Sequence, residues 1–281
     1  MRLILLFLFT TSLYGQYFDT ISIEKKITFV NYLKQNKQHE DALYILNHFN
    51  SREQIDSLIL MEVKLLLELH REKLADSLLK SSLNLFSDSS KLNCSYTLLQ
   101  NHVNILISKL DDLKKPNYTT NLIHYETWRI QQLATAILKN DFGGFEEIFN
   151  SGKCTNPNTS MIEFSLYVQK TEMFRRRKKS GFLAGLFSTI IPGSGKIYAG
   201  KPHEALTSFV PVVFNLAQAG EGYYYKKFES PHLYVFGSIG TVFYASNIYG
   251  SFKAAKRKNA EFNNKVKNNI EYEITKLISY Y

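Results

Sequence analysis

Apolar residues recur every three or four positions along residues 20–174, and this spacing allows few folds other than packed α-helices. The first stripe consists of Ile23, Ile27, Val30 and Leu33. Residues at this spacing share one face of a helix, and the strict alternation typical of strands is missing here. We therefore predict an all-α domain of short helices. Turns are expected at residues 36–37, 50–51, 70–71, 87–89, 115–117, 143–144 and 156–158.

Two stretches within this domain are similar to each other. Residues 38–46 and 71–79 align so that Ala42 and Ala75 lie 33 positions apart, close to the period of about 34 residues in tetratricopeptide repeats. One repeat further on, the chain has Lys109 where a small residue is needed. The pattern leaves two alternatives: degenerate tetratricopeptide-like repeats, which typically hold a peptide or protein in a groove, or an irregular helical bundle.

The basic surplus lies in the last third of the chain. The 281 residues carry 34 Lys and Arg against 25 Asp and Glu, but residues 175–281 alone hold 16 basic and 6 acidic side chains. The longest uncharged runs lie in the same part, and basic residues beside apolar segments are typical of membrane proteins. A nucleic-acid-binding protein would more often spread its charge over a soluble face. We predict membrane lipid as a partner, and no nucleic acid.

Two uncharged runs in this part, residues 205–220 and 233–252, predict a transmembrane helical hairpin. A helix of about 20 residues is about 30 Å long, the thickness of the hydrocarbon layer. Gly237, Thr241 and Ala245 follow one another at intervals of four residues, and such small residues let a partner helix approach closely. That partner is expected to be the first run, and the hairpin could also form a homo-oligomer. The alternative is a buried hairpin of a soluble protein.

A glycine-rich segment lies just before the hairpin. Residues 183–200 read LAGLFSTIIPGSGKIYAG, and residues 243–250 read FYASNIYG. Both stretches resemble the signature of a bacterial family of uncharacterised membrane proteins, similar to two-transmembrane-helix domains with a Pro-Gly-x-Gly-x-x-Tyr-x-Gly motif. Lys196 departs from it, since Gln or His is more usual there. The motif positions are Pro192, Gly193, Gly195, Tyr198, Gly200, Asn247, Tyr249 and Gly250.

The resemblance covers residues 178–262 and implies a membrane module without a defined activity. Some members of the family also carry a signal peptide and tetratricopeptide-like repeats. The residues themselves indicate a helix stop, because Pro192 and Gly193 should end a helix that begins near Phe182. Tyr198 could then lie at the membrane interface.

The run Gly-Ser-Gly-Lys at residues 193–196 is not a phosphate-binding loop. The full pattern requires a glycine at position 190 and a serine or threonine at position 197. The chain has Ile190 and Ile197 instead. We therefore reject nucleotide binding at this segment.

Residues 1–15 predict a signal peptide. Arg2 precedes a short apolar core at residues 3–9, and Gly15 provides a small residue before Gln16. The alternative is an uncleaved anchor. Export would permit a disulfide between Cys94 and Cys154, but two buried free thiols are an equal alternative because no spacing signature decides between them.

No catalytic, cofactor-binding or metal-binding residues are predicted. None of the seven histidines has metal-ligand spacing with another, and no nucleophile elbow, kinase signature or zinc-protease motif occurs. We therefore expect a non-enzymatic, membrane-anchored protein of the bacterial cell envelope whose helical repeats bind a protein partner. The alternative is a component of a small-molecule or ion conduit, or of membrane assembly, that uses the broken segment 182–200.

The expected organisation is a signal peptide, a helical-repeat domain at 16–174, a membrane module at 175–262 and a basic and aromatic C-terminal tail at 263–281.

Two signals disagree about orientation. With two crossings, 11 basic residues flank the hairpin on one side and two, Lys226 and Lys227, lie on the other, which favours cytoplasmic flanks. The signal peptide favours a periplasmic N-terminal domain, and this is the orientation we predict.

Overall fold

The computed structural model describes residues 23–47, 56–82, 91–116 and 121–281. All regular secondary structure within these ranges is helical, which confirms the all-α prediction. The signal peptide predicted at residues 1–15 lies outside the described residues, as do the turns expected at 50–51 and 87–89. The described chain divides into two compact units. One contains the residues up to Lys170 together with Ile270–Tyr281, and the other is Thr171–Asn269.

Within the described residues, eight helices of the first part of the chain follow the apolar spacing. They are α1 (Ile23–Gln35), α2 (His39–Asn47), α3 (Asp56–Glu68), α4 (Glu72–Ser81), α5 (Lys91–Leu106), α6 (Leu122–Lys139), α7 (Phe142–Asn150) and α8 (Pro157–Arg175). α5 ends at Leu106, and the chain leaves the helical path at Ser108, which has a positive φ of 62°.

The first two helical hairpins of this unit share one turn geometry. Lys37 and His70, the turn residues, both have positive φ. The amide that follows each of them donates back to a carbonyl five residues earlier, at 2.9 Å in the first turn and 2.8 Å in the second. Ala42 and Ala75 are both fully buried in the helices that follow.

The turn expected at Gly143 and Gly144 is instead the first turn of α7. Asp141 caps this helix by accepting a hydrogen bond from the Gly144 amide at 2.9 Å. A Cβ atom at Gly144 would lie 2.3 Å from a carboxylate oxygen of Asp141. A side chain at Gly144 would displace the capping carboxylate from its present position, and the two glycines do not break the helix here.

The second unit contains the predicted helix stop. Its helices are α9 (Gly181–Ile190), the short α10 (Ser194–Tyr198), α11 (Pro202–Lys226) and α12 (Pro231–Thr275), with a 3-10 turn at Lys227–Glu229. α9 ends just before Pro192, and Gly193 has a φ of +87° that favours glycine. Residues 263–281, predicted as a tail, continue α12 to Thr275 and end in a 3-10 turn at Lys276–Tyr280.

The close approach between α11 and α12 uses different small residues from those predicted. Cβ atoms built on Gly237 and Gly240 would lie 3.9 Å from Ala219 Cβ and 3.3 Å from Asn215 Cβ respectively. Thr241 and Ala245, by contrast, are exposed. Only Gly237 of the expected stripe therefore faces α11. Among the described residues, no helix combines the length and the apolar character needed to be identified as a membrane span.

Candidate functional site

The second unit exposes an unusual number of large apolar side chains, which we call the apolar belt. Soluble monomeric proteins rarely leave large contiguous apolar patches uncovered unless a partner or a membrane covers them. More than half of the residue's surface is exposed in Phe182, Ile190, Ile191, Ile197, Leu206, Val210, Phe214, Tyr234, Val235 and Val242. The belt is therefore the strongest indication of function in this unit.

The interior of the same unit is built from small and polar residues. A buried cluster consists of Ala184, Ala199, Ala254 and Ala255, with Tyr198 packed against it. Elsewhere in the interior, the buried hydroxyls of Ser188 and Ser251 lie 2.7 Å apart. Asn215 is buried and donates to the Pro211 carbonyl at 2.8 Å. Large apolar residues thus face outward and small or polar residues inward, the reverse of a soluble core.

Two glycines of the motif let α10 pack against its neighbours. A Cβ atom at Gly195 would lie only 1.8 Å from the Ala184 carbonyl oxygen, and the Gly195 amide donates to Ser188 Oγ at 3.0 Å. A Cβ atom at Gly193 would lie 2.8 Å from the Ala205 carbonyl oxygen. Both positions therefore require glycine for close backbone contact as well as for the turn.

Tyr198 and Gly200 complete this turn. The Tyr198 hydroxyl accepts a hydrogen bond from the Ser180 amide at 3.2 Å, and its ring packs edge-on against Phe187 at 5.3 Å between centroids. These contacts join the start of α9 to the end of α10. Gly200 has a positive φ of 76°, which turns the chain into α11.

The second stretch of the motif has three different environments. A Cβ atom at Gly250 would lie 3.4 Å from Lys196 Nζ, and the Lys196 ammonium donates to Ser208 Oγ. Asn247 is buried, and neither atom of its amide has a hydrogen-bond partner. Tyr249 is exposed, with Lys253 Nζ 4.6 Å from its ring centroid. The motif thus combines packing residues with one surface residue.

A second surface feature is a set of cations that we call the basic collar. Asn259 fixes the end of the basic run 175–179 through two hydrogen bonds to the Lys179 main chain. Its side chain accepts from the Lys179 amide at 3.0 Å and donates to the Lys179 carbonyl at 2.8 Å. Arg176 donates to the Lys258 carbonyl at 2.9 Å and lies over the Phe262 ring at 3.8 Å. The collar consists of Arg175, Arg176, Arg177, Lys178, Lys179, Lys253 and Lys256.

The nearby carboxylates are paired with cations outside the collar. These ion pairs are Arg257–Glu204 at 2.6 Å, Lys201–Glu204 at 3.5 Å, Lys201–Glu261 at 2.8 Å and Lys258–Glu261 at 3.8 Å. Lys253 and Lys256 form no ion pair with any residue in the described ranges. The collar therefore keeps uncompensated positive charge at its α12 end.

An apolar cleft of about 500 Å³ lies between α9 and α12. Its lining residues are Gly181, Phe182, Gly185, Leu186 and Thr189 from α9, and Ala245, Ile248, Tyr249 and Phe252 from α12. The Thr189 hydroxyl donates its proton to the Leu186 carbonyl at 2.7 Å, within its own helix. The cleft is suited to an apolar ligand.

The first unit has a polar pocket of about 510 Å³ beside α5. Side-chain amides at its wall hold the chain that follows α5. Asn101 donates to the Lys114 carbonyl at 2.7 Å and accepts from its amide at 2.8 Å, and Asn104 donates to the Asp112 carbonyl at 3.2 Å. These amides therefore fix the loop that follows α5.

A buried ion pair joins α6 to α8 in this unit, and sequence reasoning did not identify it. Arg129 donates to Glu163 at 2.8 Å and to the Phe149 carbonyl at 2.9 Å, and both charged side chains are almost fully buried. The sequence signal for this ion pair is the charge of Arg129 between the apolar residues Trp128 and Ile130. Its partner, 34 positions away, could not be assigned without the fold.

Glu126, one turn before Arg129, binds the chain that leads into α8. It accepts from the amide and hydroxyl of Thr155 at 2.6 and 2.8 Å, and from the Thr159 hydroxyl at 2.5 Å. Burial alone would raise the pKa of Glu126, but these hydrogen bonds outweigh it and leave the pKa below its ordinary value. The carboxylate therefore has a structural role.

Cys94 and Cys154 are free thiols and both are buried. Burial, with the nearby carboxylates of Glu163 and Glu126, raises the pKa of Cys154 to about 12. Burial also raises the pKa of Cys94. Neither thiol has the lowered pKa of a reactive cysteine.

The described residues contain no group of three or more His, Cys, Asp or Glu side chains that could hold a metal ion. No family model matches the chain, and no curated protein or solved structure matches it either. The resemblance to the two-helix membrane family therefore stays a prediction.

Proposed function

We propose that the protein is a non-enzymatic, membrane-anchored protein of the bacterial cell envelope. In this proposal residues 171–269 hold it in a lipid bilayer, and the helical unit binds a protein partner. The observation that carries the proposal is the apolar belt, which surrounds an interior of alanine, glycine, serine and asparagine. Lipid tails can cover such a belt, whereas water cannot do so without a large free-energy cost.

The spacing of charges along the hairpin supports insertion. On α11 the uncharged residues between Glu204 and Glu221 correspond to about 24 Å of helix, and on α12 residues 231–252 correspond to about 33 Å. Both lengths are near the hydrocarbon thickness of about 30 Å. The average hydropathy of these helices is lowered by inward residues such as Asn215 and Asn247, which would face protein and not lipid.

Partner binding is proposed for the first unit. Ala42 and Ala75, which lie 33 residues apart in the second helices of the hairpins α1–α2 and α3–α4, are both fully buried, which supports tetratricopeptide-like repeats. Phe29 and Tyr32 stack at 6.3 Å on the surface of the first hairpin, and Tyr44 is exposed on its second helix. Exposed aromatic residues are enriched at protein interfaces.

Fractionation of the full chain tests the anchor. We expect the protein to stay in the pellet after carbonate treatment and to need detergent. The double substitution Val210→Lys with Val242→Lys, at two exposed belt positions, should release at least half of it, because a lysine in the apolar layer is costly.

The matched control changes two exposed apolar residues of the first unit, Met161→Lys with Phe164→Lys, and should leave fractionation unchanged. Full-length wild-type protein in the carbonate-soluble fraction would contradict the anchor.

A further inference from the structure

We propose that the apolar cleft and the α12 end of the basic collar together form a binding site for one anionic phospholipid. The inference rests on the proposed membrane location and adds to it a specific ligand class. An acyl chain would occupy the cleft between α9 and α12, and the phosphate would contact Lys253 and Lys256.

The two lysine ammonium groups lie against aromatic rings of the cleft wall. Lys253 Nζ lies 4.6 Å from the ring centroid of Tyr249, and Lys256 Nζ lies 4.4 Å from that of Phe252. Both rings line the cleft. The apolar lining and the cations are therefore adjacent, which matches a molecule with an acyl chain and an anionic head.

The charges at this end are available to a ligand. Glu204 and Glu261, the nearby carboxylates, are paired with Lys201, Arg257 and Lys258. Lys253 and Lys256 are exposed and form no ion pair with any described residue. A phosphodiester would neutralise them without first displacing a protein carboxylate.

The cleft also accounts for the exposure of Ala245, a small residue of α12 that was expected to face α11. Ala245 lines the cleft, and Gly181 and Gly185 line it from α9. A Cβ atom at Gly185 would make only an ordinary contact, at 3.8 Å from Ile248. The small residues thus keep open a space that the protein itself does not fill.

The experiment titrates detergent-purified full-length protein with phosphatidylglycerol or phosphatidylcholine and counts bound lipid by native mass spectrometry. We expect one phosphatidylglycerol to bind at concentrations where phosphatidylcholine does not. Each juxtamembrane lysine contributes about fivefold in affinity, so Lys253→Gln with Lys256→Gln should weaken phosphatidylglycerol binding by at least fivefold. Lys253→Arg with Lys256→Arg should retain it.

The matched control is Lys226→Gln with Lys227→Gln, which removes the same charge at the opposite end of the hairpin and should leave binding unchanged. Ala245→Leu, which fills the cleft, should weaken binding of phosphatidylglycerol. Glycerol phosphate at the same concentration should not displace the lipid, because it lacks the acyl chain.

The proposed lipid site would be wrong if phosphatidylglycerol and phosphatidylcholine bound equally. It would also be wrong if the control variant lost as much phosphatidylglycerol binding as Lys253→Gln with Lys256→Gln. Flotation with phosphatidylcholine vesicles separates this outcome from failure of the anchor. If all variants float but show no preference, only the lipid site is wrong. If the wild-type protein does not float, the anchor itself is wrong, and the lipid site fails with it.

Discussion

His102 has an imidazole ring that is fully buried in the first unit. Its Nδ1 lies 2.7 Å from the Tyr281 hydroxyl, and Gln131 Nε2 donates to the same hydroxyl at 3.1 Å. Because the hydroxyl oxygen accepts from Gln131, its proton is free to be donated to His102 Nδ1. The remaining nitrogen, Nε2, has no partner. Burial therefore lowers the pKa of His102 from 6.5 to about 3, and the ring stays neutral.

This pKa predicts acid sensitivity of the first unit. His102 takes up a proton near pH 6.5 in the unfolded state but only near pH 3 in the folded state. Its contribution to the free energy of unfolding is therefore fully present above pH 6.5 and is lost as the pH falls toward 3. The expected slope from His102 is about 1.4 kcal/mol per pH unit. The free energy of unfolding can be measured between pH 6.5 and 5 from the fluorescence of Trp128, the chain's single tryptophan. This range lies above the pH at which protonation of Glu126 affects stability.

His102→Gln should make the slope less steep. A smaller slope should remain, because burial also lowers the pKa of His124. His70→Gln, at an exposed histidine, should leave the slope unchanged. A slope as steep in His102→Gln as in the wild type would contradict this assignment.

At the scale of single elements, local chemistry determined what could be predicted. Pro192 lacks an amide hydrogen and Gly193 tolerates positive φ, so the end of α9 could be placed from two adjacent residues. The turn predicted at Gly143 and Gly144 was wrong, because glycines that follow an aspartate are also compatible with the capped first turn of a helix. The face of α12 that meets α11 could not be predicted from the sequence, because Gly237, Gly240 and Ala245 are all small. Only the folded structure shows that Gly240 lies against Asn215.

The contact between α9 and α10 provides a test at this scale. Gly195→Ala would place a Cβ atom 1.8 Å from the Ala184 carbonyl oxygen and 2.7 Å from Ser188 Oγ. α10 must then move, which breaks the Gly195–Ser188 hydrogen bond. We expect a loss of about 1–3 kcal/mol in stability, measured as lower thermal retention of monodisperse protein in detergent.

Gly220→Ala is the matched control, because a Cβ atom at this exposed helical position meets nothing within 4 Å. It should be neutral or slightly stabilising. Equal behaviour of the two variants would contradict a packing role for Gly195.

At the scale of the whole molecule, the sequence predicts the helical class and the concentration of basic and apolar residues in the last third. It does not predict that Ile270, Ile274 and Leu277 are buried in the first unit, because this end of the chain meets residues far earlier in the sequence. Tyr281, for example, contacts His102 and Gln131, which lie 179 and 150 positions before it. The same applies to the apolar cleft, since residues 181–189 and 245–252 form it only after folding. Long-range packing therefore separates what could be predicted from what could not.

Orientation in the membrane is the prediction at this largest scale. The signal peptide predicted at residues 1–15 favours a periplasmic first unit, whereas the 11 basic residues flanking the hairpin favour the cytoplasm. We expect export to decide, because charge has little influence after a long translocated domain. A reporter active only in the cytoplasm should be inactive when fused after residue 170 and active when inserted at the exposed turn near Phe228. The reverse pattern would place the first unit in the cytoplasm, where its proposed partner would then also have to lie.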